Sequence, residues 1–117
     1  MVVDRTATEE RHVDLIFRAL ADRTRRDVIR RAMSGALSVS GLARLYPMST
    51  TAVQKHVAVL EEAGLVHLTR RGRRLLVQTE IDTVAEAQVL LSEFERLWRD
   101  RLDRIGDLLA QPENGDR

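Results

Sequence analysis

The sequence has no cysteine, only two prolines, and only four aromatic residues of the Phe, Trp and Tyr types among its 117 residues. Without cysteine the chain forms no disulfide, no thiolate metal site and no cysteine nucleophile. No apolar run approaches the roughly 18 residues that span a bilayer, and the N-terminal segment lacks the apolar centre of a signal peptide. We expect a cytoplasmic protein with a core built from Leu, Val, Ile and Ala.

The charge of the chain is nearly balanced in total but unevenly distributed. There are 19 basic and 18 acidic side chains, and every basic residue except Lys55 is arginine. Residues 70–80 carry four basic side chains and one acidic one, whereas residues 81–117 carry five basic and nine acidic side chains. A focused basic patch can bind a polyanion even on a nearly neutral protein. Residues 70–80 are therefore the first candidate for a binding surface.

The apolar spacing predicts one mainly α-helical domain over residues 8–110. A first helix is expected over about residues 8–21, where apolar residues recur at helical spacing. A long helix is expected from about residue 83 to residue 110. The two ends, residues 1–7 and 111–117, show no such pattern and are expected to be flexible.

Between the first and last helices the sequence predicts a helix-turn-helix. Asp22 is a candidate N-cap for a second helix, and Ser40 and Ser49 are candidate N-caps for two short helices after it. Pro47 separates the two short helices, because proline disfavours the helical conformation of the residue before it. Gly64 ends the second of them. Two short helices joined by a tight turn form the helix-turn-helix pattern.

The segment after this motif predicts a β-hairpin with a basic tip. The flanks "LVHLTR" and "LLVQTE" show a short alternation of apolar residues around "RGRR", too short to fix the register. The preceding "ALSV" is expected to be an extended link. A helix-turn-helix followed by a basic hairpin is the winged-helix plan, here with about five helices and a two-stranded wing.

The winged-helix plan puts the second helix of the motif in the major groove of DNA and the hairpin tip along the backbone or minor groove. Short hydroxyl residues at the start of that helix allow close approach to phosphates, and Gln and Lys can pair with base edges. The alternatives are an ordinary solvated helix face and a solubilising loop. The candidate contacts are Ser49, Thr50, Thr51, Gln54 and Lys55 in the helix and Arg70, Arg71, Arg73 and Arg74 in the wing.

The long C-terminal helix carries an apolar stripe that is wider than one small domain covers from one side. The stripe approximates an a/d heptad pattern, which predicts a partner helix, most simply the same helix of a second subunit. The alternative is that the helix packs wholly on its own domain. The candidate interface residues of this helix are Leu91, Phe94, Trp98, Leu102 and Ile105.

Several stretches share one resemblance: "LADRTRR", "LSVSGLA", "MSTTAVQKHVAVLEEAGLV", the wing "RRGRR" and the ending "FERLWRDRLDRI". Together they make residues 15–105 resemble the ArsR/SmtB family of bacterial winged-helix repressors, in particular its metal-independent branch. Arg23 stands where the family usually has proline, and Gln54 stands where it often has serine. The second departure keeps the base preference from being carried over.

The resemblance implies a homodimer whose first and last helices form the interface, which adds Val13, Ile16 and Phe17 from the first helix. It also implies an inverted-repeat operator, commonly the protein's own promoter. His56 matches the family's "KH" position and is expected to be structural or to contact phosphate. The implied partners are double-stranded DNA and a second copy of the chain. A small-molecule effector is left open, and no cofactor or membrane partner is expected.

Metal-sensing members of the family use cysteines near the third helix or Asp and His pairs on the last helix, and this chain has neither. Its three histidines, His12, His56 and His67, fall on three different predicted elements. The sequence also shows no glycine-rich phosphate loop and no nucleophile beside a base, so an enzyme is not expected. The remaining alternative is a winged-helix protein-interaction module without sequence-specific DNA recognition.

Overall fold

The structure, a computed structural model, describes residues 5–35 and 37–110, including all side chains in these ranges except those of residues 5 and 6. The described elements, in chain order, are α1 (Arg5–Leu20), α2 (Arg23–Ser34), β1 (Leu37–Ser38), α3 (Val39–Ala43), α4 (Thr50–Glu62), β2 (Val66–Arg71), β3 (Arg74–Thr79) and α5 (Ile81–Ala110).

The mainly α-helical fold with a helix-turn-helix and a wing is confirmed. The first helix begins at Arg5, so the predicted start at residue 8 is too late. Its first turn carries no apolar stripe, which is the signal on which the predicted start depended. The remaining residues of the predicted flexible ends, 1–4 and 111–117, lie outside the described residues.

Side-chain caps start the helices of the motif. The Asp22 carboxylate accepts a hydrogen bond of 3.0 Å from the backbone N–H of Arg25, which confirms Asp22 as the N-cap of α2. Ser49 caps α4 in the same way, through a 3.1 Å bond from the backbone of Ala52. The prediction of Ser40 as the cap of α3 is wrong, because the helix begins earlier and Ser38 accepts the capping bond.

The wing belongs to a sheet of three strands rather than two. β3 lies in the middle of the antiparallel order β1-β3-β2, and Leu37 of β1 pairs with Val77 of β3. The expected extended link is therefore a short strand. With only two residues, β1 cannot show the alternation by which a strand is recognised in sequence.

Two glycines set the boundaries of the α4–wing segment. Gly64 has φ +75, and the backbone N–H of Leu65 donates to the carbonyl of Leu60 at 3.0 Å. This pair of features is the Schellman end of a helix. Gly72 has φ +61 and follows Arg71, the last residue of β2, which pairs with Arg74 of β3. The first position of this two-residue turn needs a positive φ, which glycine adopts without steric cost.

The chain divides into two compact units, residues 1–87 and residues 88–117. The core of the first unit is formed by buried Leu, Val, Ile and Ala side chains from α1, α2, α3, α4, the wing and the start of α5. Its largest fully buried members are Ile16, Leu42, Leu60, Leu65, Val28, Val53, Val66 and Val77.

The described part of the second unit is the distal part of α5, residues 88–110. Its large apolar side chains are mostly exposed: Val89, Leu91, Phe94, Leu97, Trp98, Leu102, Ile105, Leu108 and Leu109. None of the helices in the described part of the chain combines the length and apolar content that crossing a membrane requires.

Candidate nucleic-acid interface

The predicted contact residues of α4 lie on its exposed surface. Its buried face, formed by Val53, Val57 and Leu60, holds the helix to the core. The side chains of Thr50, Thr51, Gln54 and Lys55 are exposed, as is the capping Ser49, whose hydroxyl is already engaged by the backbone of α4. The structure thus brings together the five residues that precede His56 in the candidate set. Their contact with DNA stays a prediction.

His56 differs from the other candidates of α4 because it turns toward α2. Its side chain is half-buried, and its Nδ1 lies 3.3 Å from Nη1 of Arg25 and 3.9 Å from the carboxylate of Asp22. The ring therefore lies between the Arg25 guanidinium and the Asp22 carboxylate at the start of α2. This geometry fits the structural alternative for His56.

Arg25 ties three elements together at the edge of the interface. Its guanidinium donates to the carbonyls of Ala19 at 2.8 Å and Arg18 at 2.9 Å, and Arg26 donates to the carbonyl of Leu20 at 2.8 Å. These carbonyls lie in the last turn of α1, where helical partners are missing. Since Arg25 also reaches His56 of α4, it fixes the end of α1 and the start of α2 against α4.

The hydrogen bonds from Arg25 and Arg26 to the end of α1 were not predicted from the sequence. Basic side chains in the first turn of a helix interact unfavourably with the helix dipole. Two arginines at the start of α2 are therefore expected only where hydrogen-bond acceptors lie nearby. That conflict is the signal that could have pointed to the end of α1. The backbone N–H of Arg25 also holds the pKa of Asp22 below its ordinary value, with smaller help from His56 and from the Arg25 side chain.

The four wing arginines have no such partners. Arg70, Arg71, Arg73 and Arg74 are all exposed, and within the described residues none of their side chains forms an ion pair or hydrogen bond. The antiparallel register puts Arg71 directly opposite Arg74 and Arg70 opposite Leu75. Residues directly opposite share a face of the sheet, so the arginines are divided between two faces.

A polar cluster behind the helix-turn-helix joins α2 to the segment between α3 and α4. The Tyr46 hydroxyl donates to the Asp27 carboxylate at 2.6 Å, and Arg31 donates to the same oxygen at 2.8 Å. These two bonds, that from Tyr46 first, lower the pKa of Asp27. Burial and the neighbouring Asp27 raise the pKa of Tyr46 to about 12. The cluster fixes the turn that precedes α4.

Two histidines pair with acidic residues away from the candidate interface. His12 of α1 contacts Glu86 of α5 at 2.6 Å, and His67 of β2 contacts Glu80 at 2.5 Å. Within the ranges that the structure describes, no group of three His, Cys, Asp or Glu side chains could hold a metal ion. The three histidines are not brought together.

The candidate dimer residues differ in exposure and fall into three groups. Ile16 is completely buried in the core of its own chain, so it offers no surface to a partner, and its assignment to an interface is wrong. The apolar stripe of α1 packs against the internal core of its own chain. Val13 and Phe17 of α1 are half-buried. The candidates of the last helix, Leu91, Phe94, Trp98, Leu102 and Ile105, are exposed, and their pairing with a second chain stays a prediction.

Comparison with known proteins places this geometry among transcriptional regulators, although no protein-family model matches the sequence. The HTH-type transcriptional regulator Rv2034 of Mycobacterium tuberculosis is 35% identical over 99 residues, which are 85% of this chain and 90% of that protein. The crystal structure of the ArsR family transcriptional regulator RHA00566 superposes with a TM-score of 0.72 at 32% identity, over 77% of this chain and 93% of that chain.

A third similar protein adds an assembly state. It is the homodimeric winged helix-turn-helix DNA-binding domain of Mb0332 from Mycobacterium bovis, a possible ArsR-family transcriptional regulator solved by NMR. The two chains superpose with a TM-score of 0.64 at 25% identity, over 83% of this chain and 92% of that chain.

Proposed function

Because the chain belongs to the ArsR family of transcriptional regulators, we propose that it represses transcription by binding an inverted-repeat operator as a homodimer. In this proposal α4 enters the major groove and the wing follows the DNA backbone or minor groove. An operator in the chain's own promoter is the first one to test.

One observation carries the proposal: the exposed polar face of α4 stands beside a wing whose four arginines have no partner in the described part of the chain. Four cations within five residues repel one another, and DNA phosphates would relieve that repulsion. Thr51, Gln54 and Lys55 are then free to contact base edges. Ser49 would contribute the helix N-terminus to a phosphate.

The dimer in this proposal is built by α5. Its exposed apolar stripe, which includes Phe94, Trp98 and Ile105, is larger than isolated surface residues would explain. Val13 and Phe17 of α1 are the further candidates, which the family resemblance adds. The homodimeric state of the Mycobacterium bovis relative supports this assembly. A palindromic operator would match the twofold symmetry of such a dimer.

We also propose that regulation does not use the thiolate metal sites of other family members, because the chain has no cysteine. The effector would be a small organic molecule or none at all. We further propose that the protein has no catalytic activity of its own and works in the cytoplasm, at the nucleoid.

The test is a fluorescence-anisotropy titration of the purified protein against its own upstream region and against random DNA of equal length. Specific binding at least about 1000-fold tighter than random DNA is expected, with a steep loss of affinity as salt rises. Binding that ignores sequence would overturn the proposal. Analytical ultracentrifugation of Phe94→Glu against the control Gln88→Glu tests the dimer, since only the first change should produce monomers.

A further inference from the structure

The two faces of the wing present different surroundings to a ligand. We call the face that carries Leu68, Val77 and Leu75 the α4 side, because Val77 is fully buried and Leu68 packs against the same core as α4. Arg70 lies on this side, directly opposite Leu75. Arg71 and Arg74 lie on the other side, which we call the far side.

A cleft separates the α4 side of the wing from α4 itself. It has a volume of about 230 Å³. The wall formed by α4 consists of residues that are three or four positions apart in sequence, and this spacing puts them on one face of the helix. The lining residues are Val39, Gln54, Val57, Ala58, Glu61, Leu68 and Leu75.

This placement divides the predicted contact residues of α4. Gln54 lines the cleft, whereas Thr51 and Lys55 are rotated from it about the helix axis by about 60° and 100°. The Gln54 side chain therefore faces the wing, whereas Thr51 and Lys55 face away from the core. Among the four wing arginines, only Arg70 shares its sheet face with residues of this cleft.

We propose that Arg70 and Gln54 act as one recognition unit, so that Arg70 is a specificity-determining residue, while Arg71 and Arg74 hold phosphate without regard to sequence. This inference rests on the proposed DNA-binding function. In this arrangement only the hairpin tip follows the DNA backbone or minor groove, while Arg70, one rung before the tip, reaches the major groove beside α4. There, glutamine can pair with adenine, and arginine can bond guanine with two hydrogen bonds. Gln54 lines the cleft, and Arg70 lies directly opposite Leu75, which lines it as well, so the two side chains would reach neighbouring positions of one DNA strand.

The charges of the cleft favour this role for Arg70. Glu61 lines the cleft, and its negative charge disfavours a phosphate there and favours a cation nearby. Since Arg70 forms no ion pair in the described part of the chain, its guanidinium stays free to bond DNA. The pair Arg71 and Arg74 has the opposite surroundings. Two cations directly opposite each other destabilise the hairpin end until an anion lies between them.

A double-mutant cycle on operator binding tests the inference. Gln54→Ala is combined with Arg70→Ala in one cycle and with Arg74→Ala in a control cycle, and affinities are measured at one salt concentration. For the first pair, the combined loss should fall short of the product of the single losses by about fivefold or more. For the second pair, the losses should multiply to within about twofold, because the residues lie on opposite faces.

Single-base variants of the operator give a second measurement. Arg70→Ala should relax the preference at one base pair, whereas Arg74→Ala should weaken binding to every variant by the same factor. Arg70→Lys should keep most of the salt dependence and still lose the base preference, because lysine cannot make the paired bonds of a guanidinium. Circular dichroism of each variant checks that the fold is intact.

The outcomes separate this inference from the proposed function. If the wild-type protein prefers its operator over random DNA but Arg70 and Arg74 behave alike in both measurements, the recognition unit is refuted and the proposed function stands. If the wild-type protein shows no operator preference, the proposed function fails first. Coupling of Gln54 to Arg74 rather than to Arg70 would also refute the inference.

Discussion

Two arginine-rich segments of the chain, residues 23–26 and 70–74, are used in opposite ways. At the start of α2, Arg25 and Arg26 donate to three carbonyls at the end of α1, and Arg25 also contacts His56 of α4. The wing arginines are exposed and have no partner in the described part of the chain. The first segment holds the helix-turn-helix together, and the second is available to a ligand.

The difference between the two segments comes from the acceptors within reach. A helix C-terminus leaves backbone carbonyls without helical partners, and a nearby arginine satisfies them. At the end of the hairpin, Arg71 and Arg74 face each other across the last rung, so the nearest side chains are cations. Local arginine density alone therefore does not separate a structural segment from a binding one. The groups around each guanidinium do.

The largest effect is expected from removing the wing charge. Replacing Arg70, Arg71, Arg73 and Arg74 together by alanine should lower operator affinity by at least about 1000-fold at 0.1 M salt, because each lost phosphate contact also loses counterion release. The slope of affinity against salt should become shallower. The free energy of unfolding should not fall and should rise slightly, since these side chains have no partner in the described fold and the variant loses the repulsion between Arg71 and Arg74. A clear loss of stability in urea titrations would contradict this assignment.

The next effect concerns the other arginine segment. Arg25→Ala should lower the free energy of unfolding by about 2–3 kcal/mol, because it leaves carbonyls of α1 and the His56 ring without a charged donor. Urea denaturation at a fixed protein concentration measures the loss. Arg30→Ala is the matched control, because Arg30 lies on the exposed face of α2, and it should change stability by less than about 0.5 kcal/mol. Equal losses in both variants would contradict the comparison.

The sequence predicts those features of the fold that depend on near neighbours. The caps at Asp22 and Ser49, the helix end at Gly64 and the turn at Gly72 each depend on residues within a few positions. The strand at residues 37–38 could not be predicted, because its partner β3 lies far along the chain. The contact between Arg25 and His56 is equally remote in sequence.

The candidate interface shows the same limit. The exposed face of α4 follows from helical spacing, and the basic wing follows from composition. The side of the wing on which Arg70 lies depends on the register of β2 against β3, which the short apolar alternation does not determine. The stripe of α1 misleads for Ile16, because a helical apolar face looks the same whether an internal core or a partner covers it.

A smaller effect is expected where an arginine shares a carboxylate with a tyrosine. Tyr46→Phe removes the hydrogen bond to Asp27 and should cost about 1 kcal/mol of unfolding free energy at neutral pH. The folded-state pKa of Asp27 is lowered, so its contribution is present above about pH 4 and is lost as the pH falls further. The pKa of Tyr46 is raised to about 12, so its contribution is lost as the pH rises above about 10.

The advantage of the wild-type protein over Tyr46→Phe should therefore be largest at intermediate pH. It should shrink at acid pH and be lost or reversed at high pH, where the buried tyrosine ionises and the phenylalanine does not. Unfolding free energies measured across the pH range test this shape. Asp27→Asn is the control. It removes the pH dependence at acid pH, because asparagine does not titrate, and it leaves the burial that is the main cause of the raised Tyr46 pKa. A difference between the two proteins that does not change with pH would show that Tyr46 acts through packing alone.

The smallest effect is expected for an arginine that is paired but exposed. Arg99 donates to Glu95 at 2.9 Å, a distance close to those of the Arg25 bonds, yet the two side chains are 71% and 64% exposed. Water and salt screen such a pair, so Arg99→Ala should change the free energy of unfolding by less than about 0.5 kcal/mol. Thermal denaturation followed by circular dichroism, at matched protein and salt concentrations, measures the change. A loss as large as that of Arg25→Ala would mean that hydrogen-bond distance, rather than the burial of the groups it joins, decides which arginines stabilise this fold.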